Sequence, residues 1–597
     1  GSSIWRRAPP PSGLPRARRA RRAMAARLPN LLADPEAPAG PDGQQVPSKA
    51  KSFSNNSSMS EVSDGNAAPE PAEDGAAAER TWKTFVNENR EVVVLPLSLL
   101  ILVFFLCVQL DETRPQASKG AAVLVITAMW WFTEVVPLTI TSLLPLVLYP
   151  LLGVVKVKVL ATKFFRSTSF LFVAGFFIGL AVERWGLHTR VVCGVVGHAG
   201  KRIELLVGGF MLSVWMLSMW ISNSATIMCM LPMAQGFLST LPPGHERFQS
   251  AFLLAIGYSA TIGGIATPVG TPTNGIFMEQ FVAFWPGEGE FSFAKFFLCA
   301  FPLSFLLLIV VWLGFCIVFV WRSSAEIPVD QEVFASIRRE LGKVSFEQIV
   351  VGIDGLLLIA FWFTASKIDA FPGWKTYVAP DLDSSSIGLF LTLPLFLLPC
   401  GAQLPKPLQR IIGEDRCLSS GPRGQQPRRI LDWQQVKNNF QWEILFVFGG
   451  GAVIAHGTVV SGLAAWAAEL LSRAAIGELA FVMLVSFVIC FVTEVVSNMA
   501  TLSIFGAIIA ATAQLKGFDP VQMLLVVCFS ASFAFMLPMA GGPNMIVYST
   551  GKISVPTMAR FGLALNIVAI LLGSLYMGLV MPLALGSYAD LPAPVSD

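Results

Sequence analysis

Charge and histidine are what this sequence has least of. Asp, Glu, Lys and Arg make up 14% of its 597 residues, against about a quarter in soluble domains, so a water-soluble globular plan is excluded. Four histidines in the whole chain leave little from which to build a metal cluster, and His456, in a Gly-rich run, reads as a packed neutral side chain. The nine cysteines (Cys107, Cys193, Cys229, Cys299, Cys316, Cys400, Cys417, Cys490 and Cys528) are scattered and form no Cys-x-x-Cys pair. Neither a disulfide framework nor a zinc site is indicated, and buried small apolar side chains are their expected role. A net charge of +3, carried mainly in tails and loops, gives no reason to expect a nucleic-acid partner.

What the chain has in abundance is apolar sequence, 54% of all residues. From Val92 onward come runs at about 92–110, 121–153, 168–184, 203–241, 250–278, 296–321, 348–366, 384–400, 443–460, 478–515, 521–550 and 559–586. Most are long enough for a helix of about 20 residues to cross a hydrocarbon core of about 30 Å. The expected class is therefore an all-α polytopic membrane protein embedded in the lipid bilayer. Residues 1–90 are different material. The basic run Arg16 to Arg22 is followed by Pro, Ala, Gly, Ser and Glu with few aromatics, a composition that cannot bury a core and is expected to be a disordered cytosolic tail. Organelle targeting by this Arg-rich start is disfavoured by Asp34, Glu36 and Asp42.

Loop charge orients the spans. Loop 322–347 carries Arg322, Arg338, Arg339 and Lys343, and loop 401–440 carries Lys406, Arg410, Arg416, Arg423, Arg428, Arg429 and Lys437. Both are expected in the cytosol, with the acidic connection at 279–295 outside. The basic N-terminus then lies inside, where the acceptor Asn55-Asn56-Ser57-Ser58 would be unused, and the C-terminus outside. The domain expectation is a first half at 91–321, a linker at 322–347, a second half at 348–590 and a short tail at 591–597.

Two polar interruptions stand out. Ser218-Met219-Trp220-Ile221-Ser222-Asn223-Ser224-Ala225-Thr226 is matched about 275 residues later by Thr493-Glu494-Val495-Val496-Ser497-Asn498-Met499-Ala500-Thr501. Each lies inside an apolar run, at 203–241 and 478–515, expected to be a re-entrant hairpin. Backbone polar groups left unpaired in lipid cost several kcal/mol, so such a break survives only when buried in protein or facing a water-filled cavity. The repeat goes further. Phe172-Val173-Ala174-Gly175 is echoed by Phe446-Val447-Phe448-Gly449, and Trp185-Gly186-Leu187 by Ser461-Gly462-Leu463. After each break a helix is interrupted by Gly and Pro and ends in Asn, at Tyr258 to Asn274 and at Phe529 to Asn544. With five spans per half and a cytosolic link, the second half is expected to be inverted, an arrangement that implies alternating access.

At a break, Ser and Thr hydroxyls, the Asn carbonyl and freed backbone carbonyls are oxygen ligands suited to a small hard cation, while half-helix N-termini favour anions. Neither break holds Lys or Arg, so an anion there must be neutralised by helix ends and co-bound cations. One such motif alone would more simply be read as close packing of small residues; two aligned copies favour a binding role. Glu134, Glu183, Glu443 and Glu494 are expensive in a membrane and could carry protons or cations. Interface caps or ion pairs are the plainer expectation for the first three, and Glu494, inside the second break, stays open between structural and coupling roles. An intramembrane hydrolase with a break serine as nucleophile lacks a neighbouring His or Lys as base. A non-transporting receptor is disfavoured by retention of both Asn residues and both broken helices.

Taken together, Trp131-Phe132-Thr133-Glu134-Val135-Val136-Pro137 through Leu144-Pro145-Leu146, the paired Ser-Asn-x motifs, and the Gly-Thr-Pro-x-Asn and Gly-Gly-Pro-Asn segments resemble the divalent anion–sodium symporters, a family that includes sodium-coupled dicarboxylate, citrate and sulfate cotransporters. The resemblance covers about 91–590. It implies about eleven spans and two hairpins, an elevator-like transport domain moving against a scaffold, and a homodimer. Carried over, a first sodium site would use Ser218, Ser222, Asn223 and Gly270, and a second Thr493, Val496, Asn498 and Ala540. The substrate's carboxylates would meet Ser222, Asn223 and Ser224 on one side and Ser497, Asn498, Met499 and Gly541 on the other. Where the family usually has Ser-Asn-Thr, this chain has Ser-Asn-Ser and Ser-Asn-Met; Met499 and Gly541 remove hydroxyls, which bears on substrate identity more than on sodium. The expected function is Na⁺-coupled import of C4-dicarboxylates such as succinate or malate, with citrate as a further substrate. Sulfate or phosphate transport, exchange and proton coupling are the alternatives. No enzymatic role and no cofactor beyond co-transported Na⁺ is expected. The plasma membrane is the expected location, with the vacuolar or another organelle membrane as the alternative.

Overall fold

The computed structural model describes residues 90–198, 202–321, 339, 341–366, 373–377, 382–413 and 428–591. The tail 1–89, most of linker 322–347, residues 414–427 of loop 401–440 and residues 592–597 lie outside them, and with them the basic run, the Asn55 acceptor and Cys417. Among the described residues the fold is all helical apart from one isolated bridge between Pro399 and Arg429.

Eighteen principal helices follow in order. The first nine are α1 (Arg90–Cys107), α2 (Ala117–Thr133), α3 (Ser167–Arg184), α4 (Leu187–Val196), α5 (Ile203–Ser218), α6 (Asn223–Ser239), α7 (Glu246–Ile265), α8 (Pro272–Phe284) and α9 (Phe293–Phe315). Then come α10 (Phe346–Phe363), α11 (Ser384–Thr392), α12 (Glu443–Val460), α13 (Leu463–Ser472), α14 (Glu478–Thr493), α15 (Asn498–Leu515), α16 (Pro520–Ser530), α17 (Gly542–Tyr548) and α18 (Val555–Leu575). Among the described residues eight helical stretches are long and apolar enough to cross a membrane, and seven shorter apolar helices accompany them. Only 6% of α1 is buried, although it is apolar throughout. Val92, Leu95, Leu99, Leu100 and Phe104 face outward from it. A helix apolar on its outer face is stable only against lipid.

The two halves repeat one another helix by helix, α3 to α9 against α12 to α18. Gly186 and Gly462 occupy corresponding joints, both in the left-handed region (φ 63° and 77°) that lets the chain turn from a long helix into a short one. After α9 and after α18 the helix loosens into π-helical turns, Cys316–Trp321 and Tyr576–Val580. The non-glycine residue with positive φ among those described is Glu134, φ 47°, at the end of α2 within the Trp-Phe-Thr-Glu-Val-Val-Pro segment.

Packing draws the repeated elements together. The helix α7 is 89% buried, the deepest of the long helices, and sits between α5 and α9. Helix α12 packs on α8 and α15, and α6 reaches across to α17, so the first-half break meets the second-half interrupted helix. Edge-to-face pairs seal the seam: Phe172 with Phe448 at 4.7 Å and Tyr258 with Phe535 at 5.3 Å.

Candidate functional site

Each break is four residues long, 219–222 between α5 and α6 and 494–497 between α14 and α15. Ser222 and Ser497 precede the distal helices with nearly the same extended geometry (φ −54°, ψ 143° and φ −54°, ψ 137°). Only Ser222 uses its hydroxyl as a cap, accepting from Ala225 N at 3.3 Å.

A shared hydrogen-bond plan anchors both breaks. In the first, the Ser218 hydroxyl bridges the Asn223 Oδ1 and the Ala260 carbonyl, both at 2.7 Å. In the second, Thr493 bridges the Asn498 Oδ1 at 2.7 Å and the Ala531 carbonyl at 2.8 Å. Ser218 and Thr493 are fully buried. The Asn223 amide has two settings. With nitrogen inward it donates to the carbonyls of Gly270 and Ala260, each at 3.2 Å. With oxygen inward it joins those carbonyls and the Ser218 hydroxyl in a ring of oxygens that could hold a small hard cation. Val496 lies within the second break, and Ala540 closes the segment beyond it.

The interrupted helices present those carbonyls. After α7 the chain unwinds over 266–271 before Pro272 starts α8, and after α16 it unwinds over 531–541 before α17. Orphaned carbonyls at such ends need donors, and the two asparagines noted in the sequence supply them. Asn274 Nδ2 donates to Gly264 O at 3.0 Å and Thr267 O at 2.7 Å. Asn544 Nδ2 donates to Ala534 O at 3.0 Å and Leu537 O at 3.1 Å. The two halves also touch directly, through the Cys528 thiol on Asn274 Oδ1 at 3.4 Å and Gln280 Nε2 on Leu502 O at 3.3 Å.

Between the breaks lies a cavity of about 920 Å³. Ser222, Asn223 and Ser224 line it from one half and Ser497, Asn498, Met499, Ala540 and Gly541 from the other. The substrate-facing residues expected from sequence thus share one chamber. Ser218 and Thr493 stand behind it, in contact with the two asparagines. Thr261, Thr271, Thr273 and the wall 438–444 also line it, and among the described residues the lining includes no Lys or Arg. A Cβ at Gly542 would meet the Ser224 hydroxyl, which would have to turn away from its present position. Gly541 has room, and its φ of −166° suits any residue.

Sequence reasoning left Glu494 open; its surroundings are specific. The carboxylate accepts hydrogen bonds from the backbone N–H of Phe535 (2.8 Å), Met536 (2.9 Å) and Leu537 (3.1 Å), and from Asn566 Nδ2 (2.7 Å). It pins the unwound segment of the second half to the second break. The corresponding residue in the first half is Met219, whose carbonyl accepts from the Thr267 hydroxyl at 2.5 Å. Thr267, Asn566, Ala260 and Ala531 were not singled out from sequence. The parallel Ser-Ala steps at 259–260 and 530–531 were the available signal. Glu134, Glu183 and Glu443 form no ion pair among the described residues; of the cap or ion pair expected of them, Glu134 stands at the C-terminal end of α2 and Glu443 in the first turn of α12.

Residues 89–585 match a family profile described as the sodium:sulfate symporter transmembrane region. The chain is 32% identical over 525 residues to the sodium-dependent dicarboxylate transporter SdcS of Staphylococcus saprophyticus, covering 85% of this chain and 96% of that protein. To the protein of the same name from Staphylococcus aureus it is 31% identical over 512 residues, covering 84% and 92%. A crystal structure of the Alcanivorax borkumensis YdaH transporter superposes loosely, with TM-score 0.47 and 14% identity over 71% of this chain and 87% of that one. By the match across nearly all of its helical part, the chain is an integral multi-pass membrane transporter that belongs to the sodium:sulfate symporter family.

Proposed function

We propose that this protein is a Na⁺-coupled symporter that imports divalent organic anions, C4-dicarboxylates such as succinate and malate, with citrate as a further substrate, by alternating access. The observation that carries the proposal is the meeting of two Asn-centred breaks on one cavity that has oxygen ligands from both halves and, among the described residues, no cationic side chain. A dianion in such a chamber needs positive charge from helix N-termini and from bound cations. The first cation is assigned to Ser218, Ser222, Asn223 and the Gly270 carbonyl, the second to Thr493, Asn498 and the carbonyls of Val496 and Ala540. The substrate bridges Ser222, Asn223 and Ser224 to Ser497, Asn498, Met499 and Gly541. The curated relatives named as sodium-dependent dicarboxylate transporters support the coupling ion and the substrate class.

The repeat further supports an inverted arrangement of the two halves; the family resemblance adds about eleven spans, a transport body of the two breaks and their interrupted helices moving elevator-fashion against a scaffold, and a homodimer, which we place in the plasma membrane. If more Na⁺ than anion charge enters, the potential adds about 2.3 kcal/mol per charge per 100 mV. Radiolabelled succinate uptake into cells expressing the protein, in Na⁺ and with choline in its place, tests the proposal. Uptake that requires Na⁺ and is competed by malate is expected; uptake indifferent to Na⁺ overturns the coupling. Sulfate is the second reading, favoured by the sodium:sulfate symporter profile that residues 89–585 match. Succinate transport absent while sulfate enters with Na⁺ would establish it.

A further inference from the structure

Among the described residues the anion chamber is lined by one ionisable side chain, and it is acidic. Glu443 stands in the first turn of α12, exposed to the cavity on the wall formed by 438–444. Asn438, Asn439 and Gln441 on that wall are neutral amides, and among the described residues the lining includes no Asp, His, Lys or Arg. Glu443 makes no ion pair among the described residues. A carboxylate left bare on the wall of an anion cavity has to be explained, because it opposes the ligand the cavity holds.

We infer that Glu443 sets how much negative charge the transported anion carries. The inference rests on the proposed function and deepens it, by naming the residue that separates dianions from trianions. The breaks supply the positive counter-charge on two sides of the chamber. A C4-dicarboxylate spans them with its two carboxylates and presents only methylene or hydroxyl groups elsewhere. A tricarboxylate such as citrate has a third carboxylate that must point away from both breaks, into the part of the chamber where the α12 wall carries a fixed negative charge. Across a water-containing cavity one extra like charge at about 8–10 Å changes binding by about three- to ten-fold. Glu443 therefore tilts the chamber toward dianions without excluding citrate. A first-turn acid also steadies the α12 dipole, but that effect acts on the fold and is the same for every substrate.

The experiment measures Na⁺-dependent uptake of succinate and of citrate, at a pH where citrate is fully ionised, and compares kcat/KM for the two within each variant. Being a ratio within one protein, it does not depend on how much reaches the membrane. Glu443→Gln is expected to raise the citrate-to-succinate ratio about three- to ten-fold, and Glu443→Asp, which keeps the charge, to leave it near the wild-type value. Glu443→Ser gives the same reading as glutamine should the latter be unstable. Glu183→Gln removes a carboxylate from a smaller cavity that adjoins the chamber at Ser222, Asn439 and Gln441, and is expected to change the ratio less than Glu443→Gln. An unchanged ratio in both Glu443→Gln and Glu443→Ser, or an equal rise in Glu183→Gln, overturns the inference. Absence of Na⁺-dependent uptake of either anion by the wild type instead overturns the proposed function and the inference with it.

Discussion

The two breaks share one hydrogen-bond plan and are held in place by different means. Ser218 and Thr493 each tie an asparagine to an alanine carbonyl on the interrupted helix of the same half. Beyond that the halves diverge. The first is held by close approach of backbone: Cβ atoms at Gly263, Gly264 and Gly270 would collide with Trp215, Asn223 and the Gly264 backbone. One hydroxyl bond, Thr267 to the Met219 carbonyl, completes it. The second half has Ala534 where Gly264 stands, each carbonyl accepting from the asparagine ten residues on, and uses a buried carboxylate, Glu494, to gather three successive N–H groups and the Asn566 amide. Glycine packing depends on shape, whereas the carboxylate depends on polar satisfaction. The teaching is that one oxygen-ligand geometry can be maintained by contact in one half and by charge-assisted hydrogen bonds in the other.

The comparison can be broken at its common part and sharpened at its differences. The largest effect is expected at the common part. Asn223→Ala and Asn498→Ala each remove an oxygen proposed as a ligand of both cation and substrate and are expected to lower Na⁺-dependent uptake by about a hundredfold or more, with surface labelling near normal. Robust uptake by either would detach that break from the site. Next comes the carboxylate clamp. Glu494→Ala leaves three backbone donors and an amide unpaired and is expected to destabilise the purified protein by about 3–5 kcal/mol. Thr267→Val, at the corresponding joint, should cost about 1 kcal/mol. Equal falls in melting temperature would remove the claimed difference between the halves.

Glycine substitutions probe the shape-dependent side. Gly542→Ala puts a methyl onto the Ser224 hydroxyl and is expected to reduce uptake by about tenfold, whereas Gly541→Ala, with open space beside it, should stay within about twofold of wild type. The smallest effect is expected for Met499→Thr. It returns a hydroxyl to the second motif and should favour malate over succinate by about threefold, the worth of one hydrogen bond. Competition of labelled succinate by unlabelled malate measures it, and no change would place residue 499 away from the substrate.

How much of this was legible beforehand follows from the range over which the signals act. The breaks, their repetition and the terminal asparagines are local patterns: a polar cluster in an apolar run has few physical explanations. The meeting of Ser222, Asn223 and Ser224 with Ser497, Asn498 and Met499 on one cavity followed from the repeat. The role of Glu494 was not legible, because its partners lie at 535–537 and at 566. A carboxylate inside a polar break fits a coupling role as well as a clamp until those donors are placed. Gly541 and Gly542 read alike in sequence, and only the position of Ser224 separates them. The same holds for Cys528, a small apolar residue by composition that reaches Asn274 across the halves.

The most direct test of the central claim, that both breaks act together on one substrate, is the dependence of succinate uptake on Na⁺ concentration. Two cation sites that must both fill before the anion is held predict a sigmoidal curve with a Hill coefficient above one, and a lower apparent KM for succinate as Na⁺ rises. A hyperbolic curve, with succinate affinity independent of Na⁺, would contradict it.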